Sequence, residues 1–192
     1  MFLEKIRHDT GLLLLESLEN KEFGWELVEA IAQANCHPPA LVKLSFSNDL
    51  SNVLKALYSY LIKQVIHQIE HQDLSALRIP EKIRKILEIS FLTLDAYKPK
   101  LQHLFKPAIM LKFNITYYQL LYEIVNRVWY RIEDQSTDYN FYTKRLLLSF
   151  VYVPTFLFWL KESNSIEQTI KELDRRLNQV GKLSTLKKKI FR

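Results

Sequence analysis

The chain has 192 residues, 48% of them apolar, with only three glycines and six prolines, which favours a packed helical protein over a disordered or all-β one. The formal net charge is +6, but residues 181–192 hold five basic and no acidic side chains, so the other 180 residues are nearly neutral, with 22 basic and 21 acidic. The single cysteine, Cys36, excludes an intramolecular disulfide framework and is compatible with a reducing compartment.

The first three predicted helices form a compact unit over residues 1–47. Leucines spaced three residues apart predict the first helix, "WELVEAIAQA" the second and "ALVKLSF" the third. The turn between the last two is "NCHPP", in which we expect Asn35 at the left-handed position and Pro39 at the first position of the third helix. This order of elements is that of a helix-turn-helix.

The charges of this unit argue against DNA binding. Between Glu22 and Leu50 there are four acidic residues and one basic residue, Lys43. Affinity for duplex DNA comes mainly from Lys and Arg at the phosphates, and functional binders make about 6–10 such contacts. We therefore interpret the unit as a degenerate helix-turn-helix kept for packing. A ligand-responsive transcriptional regulator stays the alternative, since basic residues elsewhere in a dimer would compensate.

Helical periodicity continues along the chain without a convincing strand segment. The sequence predicts an all-α fold of about nine helices, the later ones covering approximately residues 48–71, 80–97, 100–111, 115–132, 139–162 and 165–180. We divide the chain into the helix-turn-helix unit (1–47), a helical domain (48–180) and a basic tail (181–192).

The segment "HQIEH", residues 67–71, matches a metalloprotease pattern in which His67 and His71 share a metal. Both histidines fall on the polar face of their predicted helix, and because short motif matches are often accidental we interpret them as part of a solvated helix end. Asp73 and Glu81 are the nearby candidates for a third ligand. We predict no catalytic residue, no metal site and no cofactor.

The most apolar segment is 146–160, which is shorter than the roughly 20 residues that span a bilayer. Its apolar residues surround the helix, so we expect most of it to be buried. Pro154 frees a backbone carbonyl in mid-helix, and bulky aromatic side chains fill a core less completely than leucine. A pocket for a long hydrocarbon and a solid core are both consistent with this pattern. The predicted lipid-binding residues are Leu147, Phe150, Val151, Pro154 and Phe158.

The stretch "WYRIEDQSTDYNFYTKR", residues 129–145, is more specific. The informative positions are Trp129, the run from Asp134 to Asp138, Asn140, Tyr142-Thr143 and Arg145. Together they resemble the signature of the coenzyme Q biosynthesis protein nine family, an accessory family of ubiquinone biosynthesis. "LDRRLNQV" (173–180) and "FGWELVEAIAQ" (23–33) are similar to two further segments of that family. The resemblance runs with gaps from about residue 11 to 180.

This resemblance implies a TetR-like fold, usually dimeric, that binds lipid instead of DNA and is not catalytic. Such proteins bind isoprenoid ubiquinone precursors and present them to the di-iron demethoxyubiquinone hydroxylase through a surface patch. By motif match the patch falls on Val128, Asp138, Phe141 and Tyr142. Phe141 replaces the tryptophan and Val128 the methionine of well-studied members, and both keep the patch apolar.

Three rings crowd the start of the apolar helix: Tyr139, Phe141 and Tyr142. Successive helical residues point about 100° apart, so the three cannot all face one core. We expect at least one ring to point outward, and our hypothesis is that Tyr142 or Phe141 anchors a partner protein.

The tail has the spacing of a short amphipathic segment, with Leu183, Leu186 and Ile190 among Lys187, Lys188 and Lys189. A weak attraction to an anionic membrane, about 1 kcal/mol per basic residue, and a frayed terminus are both consistent with it. Because no transit segment precedes Met1, we expect a location at the cytoplasmic face of a bacterial inner membrane, with the mitochondrial matrix face as the alternative.

Overall fold

The computed structural model describes residues 2–18, 22–132 and 138–190, without the side chains of residues 2, 3, 8, 138–140 and 183–190. All regular structure in these ranges is helical, which confirms the predicted all-α class. The helices are α1 (Phe2–Ser17), α2 (Trp25–Ala34), α3 (Pro39–Ser45), α4 (Leu50–Glu70), α5 (Ile79–Leu94), α6 (Lys98–Leu104), α7 (Pro107–Lys112), α8 (Asn114–Arg131), α9 (Asp138–Trp159) and α10 (Ile166–Ile190), and a 3-10 turn at Asp95–Tyr97 follows α5.

The chain divides into two compact units. The first contains Met1–Ile66 and Tyr97–Leu120, and the second contains His67–Ala96 and Leu121–Arg192. The predicted helix-turn-helix segment 1–47 lies within the first unit. The predicted boundaries at residues 47 and 180 divide the chain by function and stay a prediction.

The turn between α2 and α3 differs from the prediction in one residue. Cys36, with φ 57°, takes the left-handed conformation, and Asn35 does not, with φ −108°. Asn35 instead ends α2, because its side-chain amide donates a hydrogen bond of 2.9 Å to the carbonyl of Ile31. Pro39 is the first residue of α3, as predicted, since a missing N–H costs nothing at that position.

The single helix predicted over 100–111 is wrong, because the structure has two helices, α6 and α7. The break lies before Pro107, whose ring disfavours the helical conformation of the preceding residue. Lys106 accordingly has φ −59° and ψ 140°, which is extended. This break raises the number of α-helices in the described residues from the nine predicted to ten.

One side of α9 forms the core of the second unit, where Val151, Tyr152, Thr155 and Trp159 are buried. The ring of Phe91, from α5, stacks on Tyr152 with centroids 5.9 Å apart. Trp159 is fully buried, and its indole Nε1 donates a 2.9 Å hydrogen bond to the carboxylate of Asp95, so the ring is satisfied as well as packed. Burial raises the pKa of the Tyr152 phenol, which therefore stays neutral.

The corner between α9 and α10 is fixed by side chains that bond to the backbone. Asn164 donates from its amide to the carbonyl of Phe158 at 2.6 Å, which caps the end of α9. Ser165 and Gln168 form a reciprocal cap at the start of α10, with bonds of 2.8 and 3.3 Å.

Helix α10 is held against α5 by Arg84, which donates to both carboxylate oxygens of Asp174 at 2.6 and 3.1 Å. The helix continues through residue 181 to Ile190, and the predicted tail, residues 181–192, begins within it. None of the helices in the described ranges is long and apolar enough to cross a membrane.

Candidate functional site

Helix α9 carries four large apolar side chains on its exposed side: Tyr142, Leu146, Phe150 and Leu157. They are four, four and seven residues apart, which places them within an arc of about 80° and along about 22 Å of helix. Tyr142 is 70% and Phe150 61% exposed. We call these four residues the α9 face. The expectation that an all-round apolar helix is mostly buried is wrong for this side, and exposed apolar patches of this kind mark interaction sites.

Of the five predicted lipid-binding residues, Phe150 belongs to the α9 face and the other four lie beside it, all within an arc of about 100° of the helix. Val151 is buried and Phe150 is exposed, while the other three, Leu147, Pro154 and Phe158, are half-buried. They therefore follow the boundary between the core and the surface. Their role in holding a lipid stays a prediction.

A cavity of about 290 Å³ lies in the first unit and is not lined by any of these five residues. Its walls combine two cationic side chains with polar and apolar ones, namely Arg7, Phe46, Asn52, Lys55, Ala56 and Ser59. Its chemistry is thus polar and basic, unlike the α9 face.

The first turn of α9 is held to α8 by a buried arginine. Arg145 donates from Nε to the side-chain oxygen of Asn126 at 2.9 Å and from Nη1 to the carbonyl of Phe141 at 3.1 Å. Its guanidinium also stacks on the Phe141 ring, 3.3 Å from the centroid. We call these contacts of Arg145 the Arg145 clamp. Because the arginine is only 8% exposed, water does not compete for its hydrogen bonds.

Phe141 and Tyr142 meet edge to face, with centroids 5.2 Å apart. Phe141 is half-buried under Arg145, whereas Tyr142 points into solvent. The prediction that at least one ring faces outward is confirmed by Tyr142. Tyr139 and Asp138 have side chains outside the described residues.

Val128, predicted for the same patch, is buried in the core of the second unit. It shares the inward side of α8 with Val125 and Trp129, which are also buried. Trp129 has the ammonium of Lys144 5.4 Å from its ring centroid. In this conformation Val128 therefore shapes the packing of α8 and does not itself form surface.

The predicted membrane-tail residues lie at the end of α10, and their side chains fall outside the described residues. They are Leu183, Leu186, Lys187, Lys188, Lys189 and Ile190. Their amphipathic arrangement stays a prediction.

Sequence reasoning missed Leu146 and Leu157 as exposed residues, and Asn126 as a partner of Arg145. The spacing of residues 142, 146 and 150 is visible in the sequence, but every side of α9 is apolar, so no periodicity marks one side as outward. A bond between residues 19 positions apart leaves no sequence signal of its own.

The one basic residue between Glu22 and Leu50, Lys43, is already engaged. Lys43 forms an ion pair with Glu29, and its ammonium lies 5.5 Å from the ring centroid of Trp25. A lysine held by α2 is not directed at a phosphate. This geometry adds to the acidic balance that argues against DNA binding.

His67 is exposed on α4, and His71 is exposed directly after the end of that helix. Their ring centroids are 4.6 Å apart. Nδ1 of His71 lies 2.8 Å from the carbonyl oxygen of His67, so that nitrogen is engaged by the backbone. Within the described residues, no three His, Cys, Asp or Glu side chains form a group that could hold a metal ion.

The fold is that of a TetR regulator. The structure matches the crystal structure of the TetR transcriptional regulator from Nitrosomonas europaea ATCC 19718 with a TM-score of 0.68, over 92% of this chain and 98% of that one. Sequence identity between the two is 16%, so the likeness shows the fold alone. The predicted TetR-like fold is confirmed.

Within this fold, residues 116–184 match the COQ9 family. The chain is 35% identical over 72 residues to the mitochondrial ubiquinone biosynthesis protein COQ9 of Rattus norvegicus, covering 37% of this chain and 23% of that one. It is 33% identical over 84 residues to the Homo sapiens protein of the same name, covering 43% and 26%. The matched segment spans about a quarter of the length of these relatives. The resemblance to the COQ9 family is confirmed over residues 116–184, which include the α9 face and Arg145.

Removing the ring of Phe141 should destabilise the protein more than removing that of Tyr142. Tyr142→Ala removes an exposed side chain, so we expect a change of at most about 0.5 kcal/mol, or about 2 °C in Tm. Phe141→Ala removes the ring on which the buried guanidinium of Arg145 stacks, and should lower Tm by about 4 °C or more. Differential scanning calorimetry measures both. Equal, small shifts would show that the Arg145 clamp does not depend on the ring.

DNA binding should be absent. Fluorescence anisotropy with a labelled duplex between 50 and 200 mM salt should show no saturable binding, because the α2–α3 segment is acidic and Lys43 is paired. A Lys43→Ala variant serves as the control and should behave like the unchanged protein. A steep loss of affinity with salt would instead identify a DNA-binding regulator.

Proposed function

We propose that this protein is a non-catalytic accessory factor of ubiquinone biosynthesis. It binds an isoprenoid quinone precursor and presents it to a di-iron demethoxyubiquinone hydroxylase. The observation that carries the proposal is that the COQ9-like segment contains a helix, α9, with large apolar side chains left uncovered by its own chain.

An isoprenoid tail suits the side of α9 that borders the core. Such a tail has almost no hydrogen-bonding groups, so its affinity comes from apolar area at about 25 cal/mol per Å². Leu147, Pro154 and Phe158 are half-buried there and carry no charge. Pro154 has no N–H to donate, so it interrupts the backbone hydrogen bonds of α9 and makes the helix easier to bend at this point.

The protein partner suits the start of α9. Tyr142 presents a ring and a hydroxyl to solvent, and Leu146 continues the apolar surface one turn further. Aromatic anchors of this kind supply much of the energy of protein interfaces when their backbone is rigid. The Arg145 clamp provides that rigidity, because it ties the first turn of α9 to Asn126 of α8.

The relatives are named as mitochondrial proteins of ubiquinone biosynthesis. We place this chain beside the membrane that holds its lipid, at the cytoplasmic face of a bacterial inner membrane or at the mitochondrial matrix face. A homodimer is part of the proposal, with an anionic membrane surface as a further partner of the basic end of α10.

The partner prediction is tested with the purified hydroxylase in detergent. Tyr142→Ala should weaken its binding at least tenfold, as measured by biolayer interferometry, because it removes a central aromatic anchor. Tyr118→Ala is the matched control, since Tyr118 is 72% exposed and lies outside the α9 face. It should bind like the unchanged protein. Equal affinities for both variants would remove the start of α9 from the interface.

The lipid prediction is tested by native mass spectrometry of the protein purified under mild conditions, followed by lipid extraction. We expect a bound species with an isoprenoid chain. Replacing the half-buried Phe158 with Gln should reduce the bound fraction, since it puts an amide where the tail would lie. A lipid-free protein that also takes up no added isoprenoid quinone would contradict the lipid half of the proposal.

A further inference from the structure

Every charged side chain in the segment 98–120 of the first unit is basic. The segment contains Lys98, Lys100, Lys106 and Lys112 and no aspartate or glutamate, a formal charge of +4. It comprises α6, α7 and the first two turns of α8. Residues 1–180 as a whole carry 22 basic and 21 acidic side chains, so this charge is a local feature.

The same segment exposes three large apolar side chains. Leu111, Ile115 and Tyr118 are 77%, 69% and 72% exposed. Phe113, between α7 and α8, departs from the helical conformation with φ −114° and ψ 29°. Ile115 and Tyr118 are three residues apart on α8 and so lie within an arc of about 60°, and Leu111 is exposed near the end of α7. We call these three residues the α7–α8 face.

The opposite side of these helices is occupied by the core of the first unit. Phe113, Thr116 and Leu120 are buried there, and the Phe113 ring meets the edge of Phe23 at 5.7 Å. Tyr117 donates its hydroxyl to the carbonyl of Leu104 at 2.6 Å. The rotation of α8 is thus fixed, and it leaves Ile115 and Tyr118 pointing away from this core, while Leu111 is exposed on α7.

Two exposed lysines accompany this face. Lys106 and Lys112 are both exposed, and the ammonium of Lys112 lies 5.4 Å from the ring centroid of Phe113. Aliphatic side chains, a tyrosine and lysines without any acid form the composition of helices that lie in the membrane interface. The apolar side chains enter the acyl boundary, the tyrosine stays at the headgroups, and the lysines meet lipid phosphates.

We propose that the α7–α8 face binds the surface of an anionic phospholipid bilayer. A second copy of the chain fits this surface less well, because a symmetric contact would bring the lysines of both copies together with no acid in the segment to pair with them. This site is separate from the α9 face and from the end of α10, and it does not rest on the proposed function.

Cosedimentation of the full chain with large vesicles tests the proposal. The unchanged protein should bind vesicles of 70% phosphatidylcholine and 30% phosphatidylglycerol and bind pure phosphatidylcholine much less. The triple variant Leu111→Gln, Ile115→Gln, Tyr118→Gln should lower the partition coefficient at least tenfold. Lys106→Gln and Lys112→Gln should each lower it about fivefold and weaken its salt dependence.

The matched control is the triple variant Ile79→Gln, Leu92→Gln, Tyr130→Gln, which alters three exposed apolar residues of the second unit. It should bind vesicles like the unchanged protein, and circular dichroism checks that each variant is folded. All variants keep the complete α10, so the basic end of that helix contributes equally to each.

Several results would overturn the proposal. One is a triple α7–α8 variant that binds vesicles like the unchanged protein, and another is an equal loss in the matched control. If the α7–α8 variant turns a dimer into a monomer while vesicle binding is unchanged, the face is covered by a second copy. Hydroxylase and lipid binding are measured without vesicles, so their failure leaves this test unaffected.

Discussion

Helix α9 has more apolar surface than the rest of its own chain covers. One side, with Val151, Tyr152 and Trp159, forms the core of the second unit. The opposite side carries Tyr142 and Phe150 in contact with water, at a cost in hydration free energy that packing does not require. Exposed apolar patches of this kind mark interaction sites, and this one lies in the segment that matches the COQ9 family.

The Arg145 clamp explains how an apolar surface of this kind stays in one conformation. A buried guanidinium is unfavourable unless its donors are satisfied, and here they bond to Asn126 and to the Phe141 carbonyl while the ring of Phe141 covers one face of the cation. The same contacts that stabilise the charge also fix the angle between the end of α8 and the start of α9. Stability and presentation of the site thus depend on one residue.

Most helices could be predicted, because their signals are local. Periodicity identified the long helices, and Pro39 marked the start of α3. The errors arose where two local signals competed: Pro107 ended a helix that periodicity would have continued, and Cys36 took the turn conformation because Asn35 was used to cap α2. The exposed side of α9 was not predictable, since a helix that is apolar on every side has no hydrophobic period and its orientation is decided by partners distant in sequence.

Trp159 gives the chain an optical reporter next to the candidate site. The chain has three tryptophans, and this one, the last residue of α9, is fully shielded from water, with its indole N–H bonded to the carboxylate of Asp95. An indole in such surroundings fluoresces at short wavelength, and its emission responds to small changes in the distance of the nearby charge. A ligand at the neighbouring half-buried side of α9 can therefore change the intrinsic fluorescence of the unlabelled protein, to which Trp129, also buried in the second unit, and Trp25 contribute as well.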